Sequence, residues 1–449
     1  MRLACLLAAV LLTAGCSHVR PWVNAPLRAD APALERIQDT AGRDPSTLVA
    51  VTLSGGGARA AAFGLGVLLE LRATPCCWQT PGSTLLDAVD VVSGVSGGSI
   101  VAAHFAAFGA AGLDRFGSEF LRVDFQDALV GQLRVPGNIA RLTSPYIGRG
   151  HLLAERLDVL YRGMTFGDVA RRPRHPQLVV TATDLSLGTG FDFTTDQFAL
   201  ICSELESVPL SFAVAASSAV PILLSPLTLR NHNGDCPTPR PPPAPSPADA
   251  DYRTRLFAEQ RSAYADAAAR PWIHLVDGGL ADNLGIRRLM DRALSGGGMR
   301  AAFSEVRIPP GSIRRLVVIA VNAERDPAER IERREAVPST LDVVDALLFG
   351  AGARATHETE EMLDDIVRTW RSALAESGGT ARAFAPGAEL HLVKVNLRDL
   401  APGDERVRLL QVPTAFSIAP AEVDSLIAAG RRLLRDSPAF ARLRASMPR

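Results

Sequence analysis

The sequence has little of what marks several common classes of protein. Its 449 residues carry 48 acidic and 48 basic side chains, so no excess charge favours nucleic acid or an anionic membrane surface as a partner. After the first 15 residues, no apolar run is long enough to span a bilayer. The six cysteines have no spacing typical of a zinc site. The whole chain is 47% hydrophobic and 21% charged, which is typical of a globular protein. Its length fits one large domain or two ordinary ones.

The few cysteines still allow one disulfide. Cys5 lies in the N-terminal apolar stretch and Cys16 directly follows it, which leaves Cys76, Cys77, Cys202 and Cys236. In an oxidising compartment four cysteines permit three full pairings, and the sequence does not choose among them. A Cys202–Cys236 bridge is favoured only because it would close the base of a loop.

The N-terminus resembles a bacterial lipoprotein signal. One positive charge, a short apolar stretch and small residues precede Cys16, and the stretch is too short for a lasting membrane span. The resemblance implies a signal peptide over 1–15, acyl chains on Cys16 and a tether over 16–46. Because Ser17 rather than aspartate follows the cysteine, it also implies sorting to the outer membrane of a bacterial envelope. The alternative is an ordinary signal peptide, with Cys16 as a plain thiol.

Strand-like and helix-like segments alternate in the first part of the body. A β-branched strand over 47–53 leads into a glycine turn and an Ala- and Leu-rich helix over 60–71. A second strand, over 85–92, leads into another glycine turn and a small-residue helix over 99–111. This repetition of strand, turn and helix predicts βαβ units and a mainly parallel sheet, hence an α/β fold.

Later segments fit the same class. Strands are predicted over 178–183, 272–276, 315–321 and 391–395, and amphipathic helices that would cover the sheet over 339–373 and 421–434. A proline-rich insertion, about 236–270, interrupts the pattern. We expect a catalytic domain over 47–300 and a C-terminal α/β extension over 301–449 that packs on it.

The most informative motif is a nucleophile elbow around Ser96. Gly94-Val95-Ser96-Gly97-Gly98 follows a predicted strand and precedes a predicted helix, which is the context in which a tight turn exposes a serine hydroxyl. Gly94 and Gly98 allow the strained turn and a close approach of substrate. The helix N-terminus adds partial positive charge beside the hydroxyl. Ser96 is therefore the candidate nucleophile.

A second glycine turn, Ser54 to Arg59, follows the first strand. Gly55, Gly56 and Gly57 offer three consecutive backbone N–H groups just before a helix, which predicts an oxyanion hole. Arg59 would brace this loop or contact an acidic headgroup. The alternative, a phosphate-binding loop, is disfavoured because the Gly-Lys-Ser/Thr ending of a P-loop is missing.

The third motif is Asp277-Gly278-Gly279, directly after a predicted strand. An aspartate at the carboxyl end of a strand lies where α/β folds place ligands. A turn-forming aspartate is the plain alternative, and it is also the favoured interpretation of Asp184. Because Ser96 and the triple glycine occur in the same chain, we favour the functional interpretation of Asp277 over that of a turn residue.

Together these motifs resemble the patatin-like phospholipase family. Its Gly-Gly-Gly-x-Arg loop, Gly-x-Ser-x-Gly elbow and later Asp-Gly-Gly occur here in that order, and residues 216–221, Ala-Ser-Ser-Ala-Val-Pro, are similar to a fourth block. The resemblance covers about residues 47–290. It implies a three-layer α/β/α sandwich with a mainly parallel central sheet. One departure is Gly285, where many members carry proline.

The resemblance also implies a mechanism. Ser96 would attack the acyl carbonyl, and Asp277 would serve as its base without a histidine. Because an ordinary aspartate, with a pKa of about 3.9, is a weak base near neutrality, we expect Asp277 to be partly buried. A histidine-containing triad is the competing mechanism. Its candidates are poor: His104 should pack behind the elbow, and His274 should face away from Asp277.

The function expected from this resemblance is hydrolysis of acyl esters of phospholipids or lysophospholipids through an acyl-enzyme. It implies no metal and no organic cofactor, and the sequence assigns no protein partner. Two alternatives stay open: a general carboxylesterase or thioesterase for short acyl chains, and a non-catalytic lipid-binding protein of the envelope.

Overall fold

The computed structural model of the chain describes residues 18–28, 46–76, 82–173, 175–237, 252–287, 290, 312–325, 335–339, 343, 346, 351–376 and 384–447. The predicted signal peptide, Cys16 and the proline-rich residues 238–250 lie outside this set. Among the described residues, no helix combines the length and the apolar character needed to cross a bilayer.

The fold is built on one sheet. Its strands in the described part of the chain are β1 (Thr47–Leu53), β2 (Val89–Val95), β3 (Gln177–Asp184), β4 (Thr189–Asp192), β5 (Leu227–Arg230), β6 (Trp272–Val276), β7 (Ile313–Asn322) and β8 (Phe384–Asn396). Their order is β5-β6-β3-β2-β1-β7-β8, with β4 beside β3. The run from β3 to β8 is parallel, whereas β4, β5 and β6 pair antiparallel. The mainly parallel α/β sheet is therefore confirmed.

Helices connect and cover these strands. The described ones are α1 (Gly57–Ala73), α2 (Gly97–Phe116), α3 (Phe125–Gln132), α4 (Pro136–Leu142), α5 (Arg149–Tyr161), α6 (Phe166–Ala170), α7 (Thr195–Leu200), α8 (Leu210–Ser217), α9 (Tyr252–Ala265), α10 (Gly279–Asp282), α11 (Ala351–Glu376), α12 (Asp404–Leu410), α13 (Pro420–Asp436) and α14 (Pro438–Ser446). A single π-helical turn, Gly117–Leu121, continues α2.

Alternation along β7 shows the layering. Val317, Ile319 and Val321 belong to the core cluster that contains the buried faces of α1, α2 and α13. Leu316 and Val318 point to the other side, into a second cluster with apolar residues of α11. Because successive side chains of a strand face opposite sides, helices cover both faces of the sheet.

The C-terminal part of the chain is built into this sheet. β7 lies between β1 and β8, and α13 packs closely on α1: a Cβ atom on Gly66 would lie 2.2 Å from the carbonyl oxygen of Ile427. Glu70 of α1 bonds Arg435 of α13 at 2.7 Å. The segment expected as an extension over 301–449 thus supplies two strands of the catalytic sheet. The domain bounds themselves stay a prediction.

Part of the expected tether lies fixed on the body. Trp22 packs on Phe212 with ring centroids 4.7 Å apart, and Asn24 donates to Ser203 Oγ at 2.8 Å. Leu27 donates its N–H to the carbonyl of Cys202 at 2.8 Å. Cys202 is joined to Cys236 in a disulfide with a Cα–Cα distance of 5.7 Å, which confirms the favoured pairing. The bridge therefore stabilises the loop on which residues 24–27 lie.

Candidate active site

The elbow takes the strained form that its sequence predicts. β2 ends at Val95, and α2 begins at Gly97. Between them, Ser96 has φ 48° and ψ −122°, a conformation that non-glycine residues rarely adopt. The flanking glycines are required by close backbone contacts: a Cβ on Gly94 would lie 2.5 Å from Ser99 Cα, and one on Gly98 would lie 2.3 Å from the carbonyl oxygen of Leu53.

The structure brings Ser96 and Asp277 together. Ser96 Oγ donates a hydrogen bond to Asp277 Oδ2 at 2.8 Å, and the two residues are 5% and 9% exposed. β6 runs antiparallel to β3, and its pairing is confined to the end of β3, at Thr183 and Asp184. The chain after β6 therefore returns to the elbow. As expected, Asp277 directly follows a strand; this strand is antiparallel to its neighbour β3 and does not belong to the parallel run.

Burial changes the chemistry of this carboxylate. It raises the pKa of Asp277 from 3.8 to about 6, against the lowering effect of the hydrogen bonds from the Gly279 N–H and the Ser96 hydroxyl. Gly279 N donates to Asp277 Oδ1 at 2.8 Å, so both carboxylate oxygens accept a hydrogen bond. A partly desolvated carboxylate of this kind is a stronger base than an ordinary aspartate.

The glycines after Asp277 have separate roles. A Cβ on Gly278 would lie 2.0 Å from the carbonyl oxygen of Thr181, so only glycine lets this turn pack on β3. Gly279 supplies the N–H just described. Farther on, Gly285 has φ 64°, which the ring of proline forbids. At this position, where many members of the resembled family carry proline, the chain therefore forms a turn that proline could not adopt.

Ser217 also contacts the elbow, and the sequence gave it no role beyond its place in the 216–221 block. The backbone N–H of Ser96 donates to Ser217 Oγ at 2.8 Å. Ser217 Oγ in turn donates to the carbonyl of Thr181 at 2.6 Å. Because α8 ends at Ser217, this hydroxyl links the end of α8 to β3 and to the elbow.

The glycine loop lies on the other side of Ser96. The N–H of Gly55 donates to the backbone carbonyl of Asn283 at 3.1 Å, so one of the three expected donors is already engaged. Gly56 has φ 138° and Gly57 has φ 60°, and neither N–H has a hydrogen-bond partner within the described ranges. Two free donors, not three, therefore remain for an oxyanion.

The side chain of Arg59 holds this loop against the residues that follow β7 and α12. Its side chain is 2% exposed; Nε donates to the carbonyl of Ala323 at 2.8 Å and Nη1 to that of Val412 at 2.5 Å. Burial, and then the charge of Arg325, lower the pKa of Arg59 to about 9, so it stays charged at neutral pH. Of its two expected roles, the structure places Arg59 in the bracing one.

The histidine alternatives lie elsewhere. All eight histidines fall in the described part of the chain, and none of them lines the cavity at Ser96. His104 is buried beside Glu119 at 3.1 Å, and burial lowers its pKa to about 4. His274 is exposed and contacts Thr228 Oγ1 at 2.9 Å. Among the described residues, the ionisable side chain in contact with the Ser96 hydroxyl is therefore the carboxylate of Asp277.

Asp184 has the structural role expected of it. One of its oxygens accepts from Ser186 N at 2.9 Å, and the other from Tyr264 OH at 3.0 Å. Tyr264 is fully buried and belongs to α9. Asp184 therefore shapes the turn after β3 and fixes the helix of the proline-rich insertion.

A cavity of about 60 Å³ opens above Ser96. One side, here called the apolar wall, consists of Val220, Pro221 and Leu280. The opposite side, the charged wall, consists of Arg59, Glu324 and Arg325. The sheet order explains the contrast, because the residues after β6 and those after β7 lie on opposite sides of β2 and β1. A cavity of this size holds the reacting part of a substrate and a few waters.

Glu324 and Arg325 are the two ionisable residues of the charged wall that the sequence did not indicate. The carboxyl group of Glu324 has a strongly altered acidity. Burial raises its pKa to about 7, against the charge of Arg398, and its buried Oε1 has no hydrogen-bond partner among the residues described. Glu324 and Arg325 follow β7 without a recognisable motif, so only the strand order brings them to the site. Within the described set, no cluster of three or more His, Cys, Asp or Glu side chains is arranged to hold a metal ion.

Solved structures similar to this chain include phospholipases and bacterial proteins. Human GIVD cytosolic phospholipase A2 in complex with methyl gamma-linolenyl fluorophosphonate and terbium chloride is 13% identical, with a TM-score of 0.41; the match covers 92% of this chain and 62% of that one. The chain thus spans less than two thirds of the human enzyme.

Two bacterial structures are also similar. VipD from Legionella pneumophila is 12% identical, with 97% of this chain and 73% of that chain covered and a TM-score of 0.31. ExoU of Pseudomonas aeruginosa, in complex with SpcU, is 14% identical, with 90% and 91% covered and a TM-score of 0.22. A comparison with curated protein sequences finds no match.

The sequence itself gives the decisive comparison. A model of the patatin-like phospholipase family matches residues 51–290, which is more than half of the chain. That span contains the glycine loop, the elbow and the Asp-Gly-Gly turn, in the order the structure assembles them. The chain belongs to the patatin-like phospholipase family.

Proposed function

We propose that the protein is a serine acyl hydrolase that cleaves acyl esters of phospholipids or lysophospholipids through a Ser–Asp dyad. The observation that carries the proposal is the 2.8 Å hydrogen bond between Ser96 Oγ and Asp277 Oδ2, beside a cavity lined by the glycine loop. A nucleophile, a base and an oxyanion donor are the parts that acyl transfer requires.

In the proposed reaction, Ser96 Oγ attacks the acyl carbonyl while its proton passes to Asp277. The negative charge that develops on the carbonyl oxygen faces the free N–H groups of Gly56 and Gly57. Asp277 then returns the proton to the leaving alcohol, and the acyl-enzyme remains. Asp277 next takes a proton from water, the resulting hydroxide attacks the acyl carbon, and Ser96 leaves with that proton.

The apolar wall and the charged wall together suit an amphiphilic substrate. The apolar wall suits the start of an acyl chain, and the charged wall suits the polar part of the leaving alcohol. Hydrolysis of short acyl esters or thioesters is the second candidate, which the small volume of the cavity, about 60 Å³, favours.

We further propose that Cys16 carries the acyl anchor of a lipoprotein in a bacterial envelope, at the outer membrane. The support is the sequence before Cys16 together with the disulfide Cys202–Cys236, which fits an oxidising compartment. The lipid substrate and the membrane are the only partners in this proposal; it includes no nucleic acid.

The test uses the chain beginning at Ser17, which keeps every described residue. A fluorophosphonate probe and an acyl-ester series, from short esters to lysophospholipids and phospholipids, are compared between the wild type, Ser96→Ala and the control Ser218→Ala. We expect labelling and turnover in the wild type and the control, and neither in Ser96→Ala. A preference for short esters would favour the second candidate. A folded wild type that neither labels nor turns over any ester would indicate a non-catalytic lipid-binding protein.

A further inference from the structure

Large apolar side chains are exposed on three segments that lie together. Ile222 and Leu223 are 66% and 64% exposed, and Ile139 and Val135 are 53% and 49% exposed. Val19 and Tyr146 add to them at 46% and 42%. We call these six residues the exposed patch. α4, which carries Ile139, has no buried residue at all, so packing in the core does not explain its apolar side chains.

Direct contacts join the three segments. Ser144 Oγ donates to the carbonyl of Val19 at 2.8 Å, and the guanidinium of Arg20 lies 4.3 Å from the centroid of the Tyr146 ring. On the other side, Arg149 Nη2 donates to the carbonyl of Ile222 at 2.7 Å. The segment 139–149 therefore connects the N-terminal residues to the loop 220–223.

Ile222 is held in an unfavourable conformation. Its φ is 73°, and a β-branched residue in this region is a true outlier. Backbone strain of this kind persists only where the surrounding structure enforces it, and such positions cluster at functional sites. Here it accompanies an isoleucine turned into solvent rather than one packed in the core.

The exposed patch is continuous with the active site. Val220 and Pro221 form the apolar wall beside Ser96, and Ile222 and Leu223 follow them directly. The cavity of about 60 Å³ is too small for a lipid acyl chain. A long acyl chain bound along the apolar wall would therefore extend over the same loop.

Charge distribution also distinguishes this region. The chain is neutral overall, yet no acidic residue occurs over 16–29, 128–154 or 207–234. The first two of these segments carry Arg20, Arg134 and Arg149, all of them exposed. Apolar and aromatic side chains flanked by arginines suit a lipid surface with phosphate headgroups.

The position of the N-terminus points the same way. In the sequence, Cys16 precedes His18, the first described residue, by only two residues. His18 immediately precedes Val19, which is fixed on Ser144. Acyl chains on Cys16 would thus emerge beside the exposed patch.

We propose that the exposed patch is the surface on which the enzyme lies against a phospholipid bilayer, with the mouth of the Ser96 cavity turned towards the lipid. The occupant is a bilayer rather than another protein, because exposed arginines flank the apolar patch and because the patch lies between the proposed lipid-ester site and the proposed acyl anchor. The choice of a bilayer and the orientation of the cavity rest on the proposed function, whereas the exposure of the patch does not.

The test measures binding to vesicles, with turnover removed. The chain beginning at Ser17 with Ser96→Ala is sedimented with phosphatidylcholine vesicles containing phosphatidylglycerol. We expect binding, and at least tenfold weaker partitioning for Ile222→Ser/Leu223→Ser and for Val135→Ser/Ile139→Ser, since each variant removes two apolar side chains. Val407→Ser is the matched control, because Val407 is 55% exposed on α12, which packs against α13. Unfolding temperatures verify that each variant is folded.

Three outcomes would overturn the proposal: no vesicle binding by the parent chain, unchanged binding by both double variants, or equal loss in Val407→Ser. A dimer that the double variants dissociate, without vesicle binding, would assign the patch to a second copy of the chain. Every protein in this test carries Ser96→Ala. The binding results therefore do not depend on whether the wild type hydrolyses lipid esters.

Discussion

The two sides of Ser96 are built in different ways. On the side of the apolar wall, Asp277 is positioned by residues within one span of chain: Ala219 accepts its N–H at 3.0 Å, and Thr183 donates to its carbonyl at 2.8 Å. On the side of the charged wall, the glycine loop is fixed by distant residues. Ala58 donates to the carbonyl of Ala415 at 2.7 Å, and Arg59 reaches Ala323 and Val412.

The residues proposed to react with the substrate and the residues that hold the glycine loop in place thus come from different parts of the chain. The nucleophile and its base lie within residues 51–290, the span of the family match. Most of the contacts that fix the proposed oxyanion loop come from residues 323 and 412–415, outside that span, although the Gly55 N–H is held by Asn283 inside it. Changes on the first side should therefore affect turnover while the fold survives. Changes on the second should affect turnover and stability together.

The largest effect is expected from Asp277→Asn, which removes the base but keeps the shape of the side chain. A general base contributes about 10²–10⁴-fold to the rate, so we expect kcat to fall by about a thousandfold. In the wild type, kcat/KM should rise with pH to half its maximum near pH 6, the pKa of Asp277. Steady-state kinetics from pH 4 to 8 give both results. A loss of less than tenfold would contradict the dyad.

The same substitution should stabilise the fold at alkaline pH. Because the folded-state pKa of Asp277 is raised, its favourable contribution is present below pH 3.8 and is lost as the pH rises through about 6. A shift of about 2 pKa units corresponds to up to about 3 kcal/mol. Asp277→Asn should therefore unfold at higher temperature than the wild type at pH 8, and the difference should vanish near pH 4.

An intermediate effect is expected from Arg59→Met on the second side. Losing the guanidinium leaves the carbonyls of Ala323 and Val412 without their charged donor, which costs about 2–4 kcal/mol of unfolding free energy. We expect kcat to fall up to about a hundredfold, since a displaced loop weakens the oxyanion donors. Denaturant unfolding and kinetics measure the two losses. Arg72→Met, which breaks a partly exposed ion pair with Asp114, should cost less than about 1 kcal/mol.

The smallest effect is expected from Ser217→Ala, which leaves the N–H of Ser96 without its acceptor. We expect a loss of about 1–2 kcal/mol in unfolding free energy and about a tenfold lower kcat. Ser218→Ala is a close control, because Ser218 Oγ has no partner in the portion of the chain described. If both alanine variants behave alike, the contact between Ser217 and the elbow has no functional weight.

The sequence was informative wherever a motif and its neighbours determine the geometry. The strands expected over 47–53 and 272–276 occur with those bounds, and the turns after them depend on glycines next in the chain. β2 begins four residues later than expected, at Val89, because residues 85–88 form a turn although three of the four are apolar. These are local outcomes, which spacing and residue type largely determine.

The sequence did not predict which distant segments of the chain lie next to each other. Nothing near Arg315 indicates that β7 lies beside β1, or that Glu324 therefore reaches the cavity. The antiparallel direction of β6 was also missed, since a short apolar strand does not show its direction. The engagement of the Gly55 N–H by Asn283 depends on a contact across more than two hundred residues, which no single motif contains.

The place of β7 has a consequence for synthesis. β1 is made first, but one of its two neighbours in the sheet follows only at residues 313–322, and α1 meets its partner α13 only at residues 420–436. A chain still emerging from the ribosome thus holds a bare strand edge until residues 313–322 are made, and an uncovered helix until residues 420–436 are made. Loop closure over such distances is slow, and exposed edges invite aggregation. We therefore expect the sheet and its helical cover to be complete only after residues 420–436 have been made.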